Sequence, residues 1–197
     1  MQKRFNIISR LIIIVIILFS QNLFVFGQEK YEKEIRIKES KVPENALKTI
    51  KKLTNSKVKW YQEFNAENII TYEAKFKNNK KHISVEFTEN GELLDVEIKI
   101  KKNEIPDNLL NIICSEIESK YKKYKFLKIQ KQLLGNAENI HMALNNNVLK
   151  NVSVNYEIVL LVKSQYKYES RELLFNNKGI LISDKKIINK NTTNLEF

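Results

Sequence analysis

The residues of this chain that could do chemistry are few and lie far apart. It has one cysteine, Cys114, and two histidines, His82 and His141. A nucleophilic cysteine needs a base beside it. Cys114 instead falls one turn after Leu110 and three residues before Ile117, on an apolar helical stripe, which predicts a buried free thiol. No His-Glu-x-x-His, Gly-x-Ser-x-Gly, Cys-x-x-Cys or phosphate-cradling glycine loop occurs. His82 and His141 are too distant in sequence to suggest a metal site, and Glu116 and Glu118 sit among lysines as solvated helix surface. The expectation is a chain with no catalytic residue, no metal ligand and no cofactor: not an enzyme.

The charge is the stronger signal. Thirty-four Lys and Arg against 23 Asp and Glu give a formal net charge of +11. Lys120, Lys122, Lys123, Lys125, Lys128 and Lys131 interleave with Tyr121, Tyr124 and Phe126. Such interleaving can bind single-stranded nucleic acid by charge and stacking. Lysines at a helix C-terminus are also favourable for the dipole alone, and the aromatics fit a core-facing stripe. A solvated basic face is the expectation, an anionic envelope surface is the second reading, and nucleic acid is not expected as a partner.

The N-terminus bears on that choice. Lys3, Arg4 and Arg10 precede the unbroken apolar run Leu11–Phe19, and Val25-Phe26-Gly27 has residues suited to a cleavage site. The run is nine residues, short of the roughly 20 that span a bilayer. Residues 1–27 therefore read as a signal peptide, and a tilted N-terminal anchor is the competing reading. Removing them, with three cations and no acid, lowers the net charge to +8. The protein is expected to be periplasmic or secreted. With one cysteine it has no internal disulfide, so its stability must come from its core.

The elements that would build this core come twice. Val42-Pro43-Glu44-Asn45 is answered by Ile105-Pro106-Asp107-Asn108, and Phe87-Thr88-Glu89-Asn90-Gly91-Glu92-Leu93 by Phe175-Asn176-Asn177-Lys178-Gly179-Ile180-Leu181. Proline suits a first helical turn because its missing N–H has no partner there. After it, Ala46, Leu47, Ile50 and Leu53 share one helical face, as do Leu109, Leu110, Ile113 and Ile117. Period-two alternation follows at Val58–Tyr61, Tyr72–Lys77, His82–Phe87 and Leu94–Ile100. Asn78-Asn79-Lys80-Lys81 and Asn90-Gly91 read as hairpin turns. The second copy offers strands at Lys125–Leu133, Tyr156–Val162, Arg171–Phe175 and Leu181–Ile188. The predicted fold class is α+β: two tandem modules, each one helix on a four-stranded antiparallel sheet. Residues 28–41 are a flexible lead-in with room for a short edge strand at Ile35 and Ile37. Residues 42–102 are module one, and 103–188 are module two with an inter-strand excursion at 134–151. Residues 189–197 are a loose tail.

A Pro-initiated helix, Lys57-Val58-Lys59-Trp60, Tyr72-Glu73-Ala74-Lys75-Phe76, a strand ending Phe87-x-x-x-Gly91-x-Leu93-Leu94, and then a second Pro-initiated helix: this order resembles the PepSY-like family. That family, also called beta-lactamase-inhibitor-like, comprises exported bacterial proteins common in Bacteroidetes. Module two departs from the pattern, with Phe126 as the nearest aromatic where module one has Trp60. The resemblance implies export and a tandem α+β architecture with a concave sheet. It implies no agreed activity, because such motifs mark a fold and not a site.

One asymmetry points to a surface. The outer strand positions of module one are polar, Glu73, Lys75 and Glu86 among them, and are expected to face solvent and tolerate substitution. In module two, Tyr156–Val162 is apolar on both faces and Tyr166 and Tyr168 follow. Either the 134–151 excursion or module one covers Val159 and Leu161, or Val159, Leu161, Tyr166 and Tyr168 form a partner-binding patch. The functional expectation is an exported non-catalytic binding protein whose partner is another envelope or secreted protein, possible inhibition included. The alternative is a binder of anionic envelope lipids or glycans.

Overall fold

The computed structural model of the protein describes residues 28–31, 33–64, 69–164 and 167–188. Expectations for the signal segment and the tail fall outside these residues, as does Tyr166.

Strands β1 (Gln28–Tyr31) and β2 (Lys33–Ile37) come first, then helix α1 (Glu44–Leu53) and strands β3 (Lys59–Phe64), β4 (Ile70–Asn78), β5 (Lys81–Thr88) and β6 (Leu93–Lys99). Helix α2 (Asp107–Lys120) and β7 (Tyr124–Leu134) follow, then α3 (Ala137–Asn146), β8 (Ser153–Lys163), β9 (Tyr168–Asn176) and β10 (Leu181–Ile188). The described residues form an α+β fold with three α-helices and an antiparallel sheet of nine strands, β2 to β10. The sheet is continuous, not two separate ones, because β6 pairs antiparallel with β7. Residues 28–41, expected as a flexible lead-in, hold two strands: β2 is antiparallel to β3 and β1 is parallel to β10.

Both helices start immediately after a proline in extended conformation, so Pro43 and Pro106 sit at the cap and not inside the first turn. Glu44 and Asp107 open the helices where the dipole favours a negative charge. The repeated turns meet the repeated helices. Gly91, at φ +80°, lies where a Cβ would come within 2.8 Å of the Ala46 backbone nitrogen and 2.9 Å of Pro43 Cβ. Gly179, at φ +79°, abuts Ile112 of α2. Positive φ and a backbone contact together make Gly91 hard to replace. Gly91→Ala should lower stability by about 1–3 kcal/mol, whereas Glu92→Ala next to it should change little. Equal urea midpoints for the two variants would refute this reading of the turn.

The helices lie on one face of the sheet. Ala46, Ile50 and Leu53 of α1 share a core cluster with Trp60, Phe76, Val85 and Phe87. Ile113 and Ile117 of α2 share another with Ile129, Ile158, Leu160 and Phe175. Helix α3 lies in the 134–151 excursion and packs against α1, and its Ile140 and Ala143 complete the first cluster. The excursion therefore covers the helix side and is not the lid over Val159 that one expectation placed there.

The opposite, helix-free face is rolled inward. Glu34 on β2 and Glu157 on β8 line one cavity of about 150 Å³. On a flat sheet six strand spacings would separate them by about 29 Å. The N-terminal chain agrees with this curvature. Strands β1 and β2 flank a single residue but pair with β10 and β3, the two ends of the rest of the sheet. Two peptide units reach at most about 7 Å, so those ends lie close together and the sheet is nearly closed.

Candidate functional site

Strand alternation sends every second residue to the helix-free face, most of them polar around the middle of the sheet, and the rolled sheet turns those positions inward. From the β2 side, Glu34, Glu63 and Glu73 line the cavity with Lys75. From the middle come Ser84, Glu86, Asp95 and Glu97, and from the far side Lys128 and Glu157. Seven carboxylates thus face two ammonium groups in a chain of net charge +11. Hairpin register stacks the acids: Glu73 is directly opposite Glu86, and Glu86 is directly opposite Asp95. Like charges in that relation are destabilising.

Two sub-sites compensate differently. On the β2 side, Lys75 Nζ lies 2.8 Å from Glu73 Oε2 and 2.9 Å from Glu34 Oε1, and 4.7 Å from the Tyr61 ring centre. Burial pushes the Glu73 carboxyl up. The Lys75 charge and hydrogen bonding with Glu63, Lys75 and Ser84 outweigh it and hold the group below its ordinary range. Burial likewise pulls Lys75 down, but Glu73 and Glu34 hold its ammonium well above the usual lysine value. Carboxylate oxygens of Glu34, Glu63 and Glu73 lie within 4.8 Å of one another, close enough for a single metal ion. The Lys75 ammonium already serves as the cation for two of them, so the donor set fits a metal poorly.

On the far side, glutamines do the work. Gln130 Nε2 donates to Glu97 Oε2 at 2.6 Å, and Gln132 Nε2 to Asp95 Oδ2 at 2.9 Å. Glu157 is opposite Gln130 in the β7–β8 ladder. Glu157 and Gln130 are 6% and 7% exposed, and Oε1 of each is buried with no hydrogen-bond partner. Glu157 Oε1 is ion-paired with Lys128 Nζ at 3.4 Å, on a side chain 43% exposed.

The expectation that Glu73, Lys75 and Glu86 face solvent fails at Glu73, which is buried, while Lys75 and Glu86 are half-buried. Gln130, Glu157 and Glu172 on the same face are buried as well. Period-two alternation separates the two faces but does not say which way the sheet curves. The residues of the expected patch do share a face, since Val159 is opposite Glu172, Leu161 opposite Ser170, and Lys163 opposite Tyr168. Exposure rises along it: Val159 is 8% exposed, Leu161 is half-buried and Tyr168 is 63% exposed. Val159 is therefore not a surface anchor, because it lies at the closed end of the rolled face. Leu161 and Tyr168 lie toward its open rim.

The other candidates behave as follows. Cys114 is half-buried and free, and His82 and His141 are exposed. Tyr121, Tyr124 and Phe126 pack on the second core cluster, so they are not a stacking platform for bases. A larger depression, about 440 Å³, lies beside Ile112 and Gly179 on the outer side and gathers a single acid, Glu116.

Among solved structures, the chain is similar to a DUF2874 family protein from Bacteroides ovatus, at 16% identity and a TM-score of 0.47 over 74% of this chain and 88% of that one. It is also similar to a BLIP-like protein from Bacteroides fragilis, at 20% identity and a TM-score of 0.46 over 78% of this chain and 92% of that one. No protein-family model matches the chain, and no curated protein matches its sequence.

Proposed function

We propose that this chain is an exported, non-catalytic binding protein of the PepSY-like type that holds another envelope or secreted protein on its helix-free sheet face. The observation that carries the reading is the excess of carboxylates gathered on the inside of the rolled sheet. A core built for stability alone would place apolar residues at those positions, since buried charges favour folding poorly. The helix-then-four-strands order occurs twice, interrupted in the second copy by α3, and each turn glycine lies against the helix that opens its copy; this supports the tandem-module reading. Partner capture from envelope extract should be lost in Leu161→Glu and Tyr168→Glu, with circular dichroism unchanged. Undiminished capture by both variants would remove the rim from the interface.

A second reading has its own observation. With seven acids turned inward, the exterior is more basic than the net charge suggests, and Lys120, Lys122, Lys123 and Lys125 are exposed. If anionic lipids or glycans are the target, the protein should sediment with anionic vesicles and be released by salt at about 0.5 M, where screening is strong.

Export is tested separately. Mass spectrometry of the protein from its host should find a chain beginning within a few residues of Gln28. An intact N-terminus recovered in the membrane would instead make residues 1–27 an anchor.

A further inference from the structure

We propose that the open flank of α2 is a docking groove for an amphipathic helix of the protein partner; the inference rests on the reading of the chain as a protein-binding module and gives it a second surface, on the helix side of the sheet. The internal repeat shows what such a flank is built to hold. Setting Val42-Pro43 on Ile105-Pro106 aligns Ala46, Thr49 and Leu53 of α1 with Leu109, Ile112 and Glu116 of α2. Each trio is spaced i, i+3, i+7 and so forms one helical ridge. On α1 the ridge is covered: Ala46 and Leu53 are buried and Thr49 is half-buried. On α2 every aligned position is more open: Leu109 and Glu116 are half-buried, and Ile112 is 51% exposed.

The difference is α3. It follows β7, the strand beside β6, packs against α1 and shares the first core cluster with Ala46 and Leu53. The strand beside β10 is β1, which leads to β2 after a single residue and brings no helix to α2. What is left there is the outer depression of about 440 Å³, lined by Asn111, Ile112, Ser115, Glu116 and Gly179. Ile180, next to Gly179, is 60% exposed. Helix α2 bonds its backbone groups internally, so this flank has no edge for a strand and is met by side chains, as in helix-in-groove binding. Leu109, Ile112 and Ile180 call for an aliphatic ridge. Glu116 stands where module one has Leu53 and forms no ion pair among the described residues, so the entering ridge must carry a lysine or arginine. A second copy of the chain has no such ridge to offer, because those of α1, α2 and α3 are buried in their own clusters.

The probe is a hydrocarbon-stapled peptide of about 16 residues, long enough for a stable helix. It copies the α3 spacing of Ile140, Ala143 and Leu144, with a lysine one turn to either side. Titrated into methyl-labelled protein, it should shift the Ile112 and Ile180 signals saturably, with a dissociation constant on the order of 100 µM. Ile112→Glu should weaken binding at least about tenfold, and Leu161→Glu should leave it unchanged. Norleucine in place of lysine should cost about threefold. Glu116→Leu, which restores the module-one residue, should bind the norleucine peptide at least as well as the lysine one, an effect that loss of folding cannot mimic. No saturable shift, an unchanged affinity in Ile112→Glu, no preference for lysine in the native protein, binding lost in Leu161→Glu alone, or a dimer in sedimentation that Ile112→Glu breaks would each overturn the proposal. Partner capture from envelope extract on the same variants separates the two readings. Full capture by a protein that binds no peptide overturns this inference alone. Peptide binding by a protein that captures nothing overturns the protein-binding reading and leaves the helix groove.

Discussion

Lys75→Met should destabilise the protein at neutral pH and recover stability as the solution is acidified, the reverse of the native protein's behaviour at this site. In the native fold Lys75 neutralises Glu73 and Glu34 at 2.8 and 2.9 Å. The Glu73 carboxyl is held below its unfolded value. A group with a lowered folded pKa contributes stability above the unfolded value and loses it as pH falls through the folded one. Glu73 therefore makes the native protein weaker in acid. Without the ammonium, the burial of Glu73 is opposed only by its hydrogen bonding with Glu63 and Ser84, and the carboxyl pKa is expected to move above the unfolded value. The sign then inverts: the variant is penalised at neutral pH and relieved as the group protonates. Breaking a buried pair typically costs about 3–5 kcal/mol. The Lys75 side chain is 36% exposed, so solvent screening brings the expected loss at pH 7 to about 2–3 kcal/mol. Urea unfolding at pH 7 and near pH 4 checks it. A deficit of the same size at both values would mean Lys75 acts by packing and not by charge.

Trp60→Ala should cost about 3–5 kcal/mol. The indole is 4% exposed and shares its cluster with Ile50 and Phe87, and Leu47 and Val58 pack against that cluster. Its ring centre is 6.0 Å from that of Phe87. Helix α1 and sheet residues Phe76, Val85 and Phe87 share this cluster with Trp60, so truncation would leave a cavity in the core between helix and sheet. Lys59→Ala, one residue earlier and exposed on the other face, should shift stability by less than about 0.5 kcal/mol. Far-UV circular dichroism follows both variants, since Trp60 is the single tryptophan and its fluorescence is lost with it. Equal losses would mean that the β3 alternation has been phased wrongly.

Trp60 also marks what could be read from the chain alone. Its place on the helix side follows from alternation with Lys59 and Tyr61 and from the stripe Ala46, Leu47, Ile50, Leu53. Such local patterns depend only on the 3.6 and 2.0 residue periods of the backbone, so helices, strands and the two cores were legible. The Pro and Gly motifs were legible as repeats, but not as partners. That Gly91 touches the start of α1 is a contact between residues 45 positions apart in sequence, set by packing.

The site was half legible. The hairpin pairing Asn78 with Lys81 places Glu73 opposite Glu86 by counting back, and two facing acids are a signal that those positions are not ordinary surface. Alternation by itself makes them look solvated. Their burial depends on how the sheet is bent, and bending is a sum over ten strands that no single strand records. The same holds for Val159, which is apolar in either reading and buried only because the face curls over it. Sequence by itself determined which residues share a face, since that follows from backbone period. Tertiary structure decided whether the face is outside or inside, because closing the sheet through its N-terminal strands turns seven carboxylates inward and buries two of them, Glu73 and Glu157, that alternation alone would leave in water.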